Sequence, residues 1–433
     1  MFSKTYIKCW CLLDKIKKHI VILRVSERRY HSRMVMNKKY KIGYYIVTDI
    51  QHIPPVVRLY PHLGGIVFTN NREVYDFLKT KYIHMNLDVY FSESRSDIHR
   101  AIVQRGIRVM IYPSYHMLFR GKAVEIFHGG LSDKNYVESL KILGYDLVLF
   151  PGEKTKDKVE ESGYLKSIPE WHIVGYPKFD PLINNTLDYT PIFNNSKKTI
   201  LYAPTWISQN ASFKIVKFSR YGESSLELWG KEIITKLHKD YNLIVKYHSR
   251  IYRKKGDIYD QIEELIGELD AESCVKVIYD DNILPYMAQS DIMISDISTA
   301  CYEWFHFNRP MIFANPSPDH YRISKDIRSN TYAWQAGDVI SKSEDILKNV
   351  KDNLAFDKYG EIRNQIFHYT VYKPDGQATE RQAQAIVDFY KRYENIPYLW
   401  LIFSSYIFRR WRRSLMKIKN TYYKYFNKEK IGK

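Results

Sequence analysis

The stretch DIMISDISTACYEWFHFNRPMIFANP, residues 291–316, decides how this chain is read. Ile292–Ser295 and Met311–Ala314 are short apolar runs of strand length, and a short helical pattern lies between them. Asp296, Ser298 and Thr299 stand where that helix begins. Side-chain oxygens are favoured there because the first backbone N–H groups of a helix lack intrahelical partners. A strand that runs into a helix N-terminus also makes a cradle for phosphate, since free N–H groups and the positive dipole end face the same point. An ordinary capped helix in an α/β domain shows the same pattern, so the surrounding chain has to decide between the two readings.

Outward from this unit the alternation repeats. Apolar runs at residues 42–47, 66–69, 109–112, 124–127 and 146–150, then Ile173 and Val174, are separated by longer mixed or amphipathic stretches, and several end in Gly or Pro. After an Asn-rich segment at 184–198, a second series follows at 199–202, 243–246, 275–279, 292–295 and 311–314, with helical spacing at 226–237 and 258–269. This is the pattern of βαβ units on parallel sheets. The expected fold class is α/β: two Rossmann-like, doubly wound domains facing a cleft, at 41–190 and 199–375, with a closing helix at 376–395 and basic terminal extensions at 1–40 and 396–433. Such domains place ligands at the carboxyl ends of their strands. His128, Thr205, His248, Asp296, Ser298 and Thr299 all follow strand-like runs.

The chain has 433 residues, 45% hydrophobic and 15% aromatic, which suits folded domains and excludes a disordered tether. A net charge of +18 calls for a polyanionic partner, but much of it is terminal: ten Lys/Arg follow residue 408 against the single acid Glu429. Cys9, Cys11, Cys274 and Cys301 make neither a disulfide framework nor a zinc motif, and a reducing compartment is expected. The basic N-terminal segment lacks the pattern of a signal peptide. Residues 396–408 are apolar and aromatic but well short of the roughly 20 residues that span a bilayer. They run into Arg409, Arg410, Trp411, Arg412 and Arg413, a mixture that suits the interface of an anionic membrane better than nucleic acid.

Three stretches carry candidate chemistry. In EIFHGGLSDK, His128 ends a strand and precedes two glycines that let a ligand approach the backbone; its near-neutral pKa suits a general base, although loop histidines are common. In VKYHSR, alternation puts Lys246, His248 and Arg250 on one side, a geometry suited to phosphate and equally to a solvated basic edge. In the opening stretch, Glu303 lies about one turn after Thr299, where a carboxylate can accept bonds from ribose. Asp280 and Asp281 suggest helix caps more than a metal site. No P-loop, dinucleotide GxGxxG or GxSxG elbow is present.

Together these stretches resemble the CDP-glycerol glycerophosphotransferase family, enzymes that prime or polymerise teichoic acids and related capsular polymers. The resemblance covers roughly residues 121–390 and rests on HGGLSDK at His128, LFPGE at Leu149, VGYPKFD at Val174, LYAPTW at Leu201, KYHSR at Lys246, the SDIST turn, and DGQATER at Asp375. It implies a GT-B-like fold without a metal or other cofactor and a CDP-activated alditol as donor. His128 becomes the catalytic base and His248 a catalytic contact to the donor phosphates. Arg250, Ser298 and Thr299 bind those phosphates, Glu303, Thr205 and Asp296 serve the nucleotide and ribose, and Gly129 and Lys134 lie on the acceptor side. The chain departs from the commonest family pattern at HGGLSDK, where many members have HGTPLK, and at Ile297, where an aromatic often precedes the hydroxyl pair. The expected partners are a lipid-linked or glycan acceptor and an anionic membrane surface, with no nucleic acid. A nucleotide-sugar glycosyltransferase and a non-catalytic nucleic-acid-binding protein are the alternatives.

Overall fold

The structure, a computed structural model, describes residues 40–119, 121–128, 131, 137–206, 224–250 and 256–426. Gly129, Lys134 and nearly all of the expected N-terminal extension lie outside the described residues.

Seven parallel strands form the first sheet: β1 (Ile42–Ile46), β2 (Ile66–Thr69), β3 (Val89–Phe91), β4 (Val109–Tyr112), β5 (Lys122–Glu125), β6 (Leu147–Phe150) and β7 (Trp171–Ile173), in the order β3-β2-β1-β4-β5-β6-β7. Helices α1 (Ile53–Leu63), α2 (Arg72–Thr80), α3 (Arg95–Gln104) and α4 (Glu153–Glu161) cover it. Burial on both faces is why β1 reads as an unbroken apolar run. Tyr44 and Ile46 enter one core while Tyr45, between them, enters another on the opposite face.

A second parallel sheet of six strands comprises β8 (Thr199–Ala203), β9 (Asn242–Lys246), β10 (Val275–Ile278), β11 (Ile292–Ser295), β12 (Met311–Ala314) and β13 (Asp338–Ile340), in the order β10-β9-β8-β11-β12-β13. It is served by α5 (Ser225–Leu237), α6 (Ile258–Glu268), α7 (Leu284–Ala288), α8 (Ala300–Trp304), α9 (Ile346–Ala355) and α10 (Gly360–Thr370). Strand order reverses between β1 and β4 and again between β8 and β11, and doubly wound sheets open a ligand crevice at such points. The expected fold class is therefore the observed one. The sequence reading missed β3 and β13, three-residue strands at sheet edges. It also carried β5 to residue 127, whereas Ile126 and Phe127 belong to the following loop.

Two C-terminal helices return to the first domain. In α11 (Ala378–Lys391), Ala383, Ile386, Phe389 and Tyr390 join the core that holds Ile42 and Tyr44. Its start is fixed by Asp180, whose carboxylate accepts from the N–H groups of Ala378 (3.1 Å) and Thr379 (2.6 Å). Next comes α12 (Tyr398–Phe426), where Leu401, Ser405, Arg409 and Met416 form a buried stripe. Arg409 donates to Asp146 at 2.9 Å and Arg412 at 3.2 Å. Burial alone would push the Asp146 carboxyl up, but Arg409, Lys122 and Arg412 hold it down at about 2. Part of the tail's positive charge is thus neutralised inside the protein. Removing the shared anion in Asp146→Ala leaves buried cations unpaired and should cost about 3–5 kcal/mol of stability, measurable by urea unfolding.

Candidate active site

The carboxyl rims of both sheets line one cavity of about 500 Å³. From the first sheet come Asp49 and His52 after β1, Ser114 and His116 after β4, and His128 after β5. The second sheet contributes Trp206 after β8, His248 and Arg250 after β9, and Ser298 and Thr299 after β11. The cleft expected from topology is therefore formed, and it gathers His128, Lys246, His248, Arg250, Ser298, Thr299 and Glu303 around one space.

Backbone geometry delivers His128. Phe127 has φ 53°, in the left-handed region that non-glycine residues rarely adopt, and its N–H donates to the buried Glu125 carboxyl at 3.2 Å. The His128 ring then turns so that Nδ1 lies 2.7 Å from the Pro113 carbonyl oxygen. A carbonyl only accepts, so the neutral ring carries its proton on Nδ1 and its lone pair on Nε2. Burial lowers the imidazole pKa to about 4; the bond to Pro113 and Asp49 oppose the shift, while Arg250 and Lys178 add to it. His128 is thus a neutral ring with a basic Nε2.

His248 takes the opposite tautomer. Its Nδ1 accepts the backbone N–H of Arg250 at 3.0 Å, so a neutral ring carries its proton on Nε2. Beside it, the Arg250 guanidinium lies over Trp206, 4.9 Å from the ring centroid, and forks onto Asp49 with Nε–Oδ1 at 3.2 Å and Nη2–Oδ2 at 2.8 Å. A planar fork that holds a carboxylate this way holds a phosphate equally well. Lys246 donates to the carbonyls of Tyr247 (2.8 Å) and Asp280 (2.9 Å), and burial draws its pKa down to about 8.

The opening stretch behaves differently from its sequence reading. Ser298 Oγ accepts the Ala300 N–H at 3.3 Å, and Thr299 faces the cavity without a side-chain cap bond. The helix after them, α8, spans five residues, so its dipole adds little. Asp296 neither caps it nor lines the cavity. Only 1% exposed, it accepts from the N–H groups of Thr205 and Ser225, both at 2.8 Å, and from the Ser225 hydroxyl. Thr205 is likewise buried outside the cavity lining. The structure places Asp296 and Thr205, expected at the nucleotide, in a buried hydrogen-bonded scaffold behind the cavity lining. Glu303 does face the cavity, but Lys178 binds both its oxygens (2.9 and 2.8 Å) and the Tyr176 hydroxyl lies 2.9 Å away. That hydroxyl is also 2.7 Å from the His128 carbonyl oxygen, so Tyr176 joins the backbone of the base to the second domain. Glu303 thus lines the cavity while held by Lys178 and Tyr176.

Asp280 and Asp281 receive Lys81 of the first domain, with Tyr286 on Asp280 (2.7 Å) and Tyr82 on Asp281 (2.6 Å), and do not act as caps for α7. Sequence reasoning overlooked Asp49, His52, His116 and Lys178. The first two follow β1 and obey the rule that selected His128. Lys178 lies inside the quoted VGYPKFD stretch, which carried no assigned role.

Residues 134–388, more than half of the chain, match the family described as CDP-glycerol:poly(glycerophosphate) glycerophosphotransferase. A teichoic acid poly(ribitol-phosphate) polymerase of Bacillus spizizenii is 24% identical over 201 residues, 45% of this chain and 28% of that protein. A teichoic acid glycerol-phosphate primase of Bacillus subtilis is 21% identical over 306 residues, 63% of this chain and 73% of the primase. The chain thus spans little more than a quarter of the polymerase and most of the primase. Among solved structures, the wall teichoic acid polymerase TagF superposes with a TM-score of 0.55 at 14% identity, covering 82% of this chain and 90% of that one, a likeness of fold. With the family match covering more than half of the chain, including the whole second sheet and the last two strands of the first, this chain belongs to the CDP-glycerol:poly(glycerophosphate) glycerophosphotransferase family.

Proposed function

We propose that the protein transfers glycerol phosphate, or a related alditol phosphate, from a CDP-activated donor to a hydroxyl of a lipid-linked or glycan acceptor, releasing CMP, in synthesis of a teichoic-acid-like or capsular polymer. The observation that carries this reading is the pair of opposite imidazole tautomers in one cavity, a proton acceptor at His128 and a proton donor at His248. The acceptor hydroxyl gives its proton to Nε2 of His128 as its oxygen bonds to the β-phosphorus. The bond from that phosphorus to the oxygen bridging to CMP breaks, and CMP leaves with the electron pair. Nε2–H of His248, the Arg250 fork and the hydroxyls of Ser298 and Thr299 stabilise charge on the phosphates, the main demand of phosphoryl transfer. Gly129 and Lys134 remain acceptor-side candidates, outside the described residues.

The protein works at the surface of an anionic membrane, where a lipid-linked acceptor would be found. No helix among the described residues is long and apolar enough to cross a bilayer. Opposite its buried stripe, however, α12 exposes Leu399, Trp400, Phe403, Ile407, Phe408 and Trp411 beside Arg410, a pattern suited to lying in the interface. Replacing Trp400, Phe403 and Phe408 together by Ser should abolish co-sedimentation with vesicles of anionic lipid and leave turnover of a soluble acceptor within about twofold, since exposed side chains contribute little to folding.

His128→Ala should lower kcat by about 10²- to 10⁴-fold, the usual contribution of a general base. Incubation with CDP-glycerol and with UDP- or GDP-sugars separates the reading from a glycosyltransferase: CMP release is expected, and release of UDP or GDP without CMP contradicts it. On the free protein, His128 is competent as a base above its lowered pKa and is protonated below it. The acid limb of kcat/KM should therefore lie near about 4, well below an ordinary imidazole.

A further inference from the structure

Arg250 belongs to the second domain, yet its fork is filled by an anion of the first. Asp49, at the turn between β1 and α1, is 4% exposed and gives both carboxylate oxygens to the guanidinium. The same carboxylate stands beside a second pair. Its Oδ2 is 4.0 Å from Nε2 of His52, and the His52 ring lies against that of His128 with centroids 3.7 Å apart. His52 is buried, and its Nδ1 lies 3.1 Å from the Thr48 hydroxyl. One buried acid thus touches the Arg250 fork on one side and, through the tilted His52 ring, His128 on the other.

We propose that Asp49 is a positioning residue that couples donor binding to the base: it holds Arg250 until the donor's phosphates take the fork, and its released carboxylate then serves the His52–His128 pair. This rests on reading the cleft as the site of a CDP-activated donor. A diphosphate competes with Asp49 for the same bidentate donors and carries more charge. A buried carboxylate stripped of its cation is strongly unfavourable, so Asp49 must find new positive charge, and the imidazoles are beside it.

The charged and titratable groups facing the two rings are Asp49, Arg250, Lys178 and His116. Burial holds His52 well below the ordinary imidazole value, with His128 adding to the effect and Asp49 opposing it. At His128, Asp49 raises the pKa while Arg250 and Lys178 lower it. Phosphate on Arg250 cancels one of the lowering charges and leaves Asp49 uncompensated, and both changes favour the imidazolium form. The base therefore moves from a strongly depressed pKa toward neutrality, where proton abstraction is most effective, only when a donor is present. A nearby hydroxyl is activated after the donor is in place.

The test is calorimetric binding of CDP to the full chain at about pH 6, near the ordinary imidazole pKa, in buffers of different ionisation enthalpy. The wild type should take up protons as CDP binds, and Asp49→Asn, a near-isosteric change, should take up fewer. Without its internal competitor, Asp49→Asn should also bind CDP about two- to fivefold more tightly, the range for losing a partly exposed ion pair. A merely structural Asp49 predicts weaker binding instead. CDP binding without proton uptake by the wild type overturns the proposal by itself, whether or not the variant folds. So does equal uptake by both proteins, or binding by Asp49→Asn that is no tighter. Failure of CDP to bind either protein overturns the donor assignment, and the proposal with it.

Discussion

A parallel sheet carries the carboxyl ends of all its strands on one rim, and in this protein the rims of two such sheets line a common cavity. Most of the site follows from that constraint. Loops after β1, β4 and β5 on one side and after β8, β9 and β11 on the other are brought together around the cavity. Polar residues at these loop starts stand between rigid strands and solvent, so their side chains reach the cavity from fixed origins. The strand-order reversals, β1/β4 and β8/β11, fall where the walls meet.

Rims alone would leave the domains free to part. Polar contacts that tie them include Asp49 to Arg250, Lys178 and Tyr176 to Glu303, Lys81 to Asp280 and Asp281, Tyr82 to Asp281, and Tyr279 to Glu73. Of these residues, Asp49, Arg250, Lys178, Glu303, Asp280 and Asp281 also line the cavity. Apolar contacts join them too: Tyr176 and Phe179 share a core with Phe305 and Phe367, and α11 buries Ile386 and Phe389 in the core of the first sheet.

How much of this was legible in the sequence depends on the range of the interaction. The run IMIS, the turn and the helix after it could be read locally, because apolar periodicity and capping are short-range signals. The same logic placed His128, His248 and Arg250 at strand ends. It did not reach the setting of Asp296, which the hydroxyl-rich turn placed at a helix cap and the structure buries behind the cavity. The partners that decide its role, Thr205 and Ser225, lie 91 and 71 residues away. The Lys178 partner of Glu303 was hidden for the same reason, since it stands 125 residues away. The basic tail reads as free positive charge until Asp146, 263 residues upstream, is seen to hold Arg409. Tautomers were out of reach altogether, because they are set by the carbonyl of Pro113 and the N–H of Arg250.

Those tautomers are the centre of the account, for they fit two histidines of similar sequence setting to the proposed roles of base and hydrogen-bond donor to phosphate. Side-chain ¹⁵N NMR of histidine-labelled protein at neutral pH, with His128→Gln and His248→Gln used for assignment, tests this directly. The account predicts a neutral His128 protonated on Nδ1 and a His248 whose Nε2 carries a proton. Finding His128 protonated on Nε2, or both rings in the same tautomer, would contradict it.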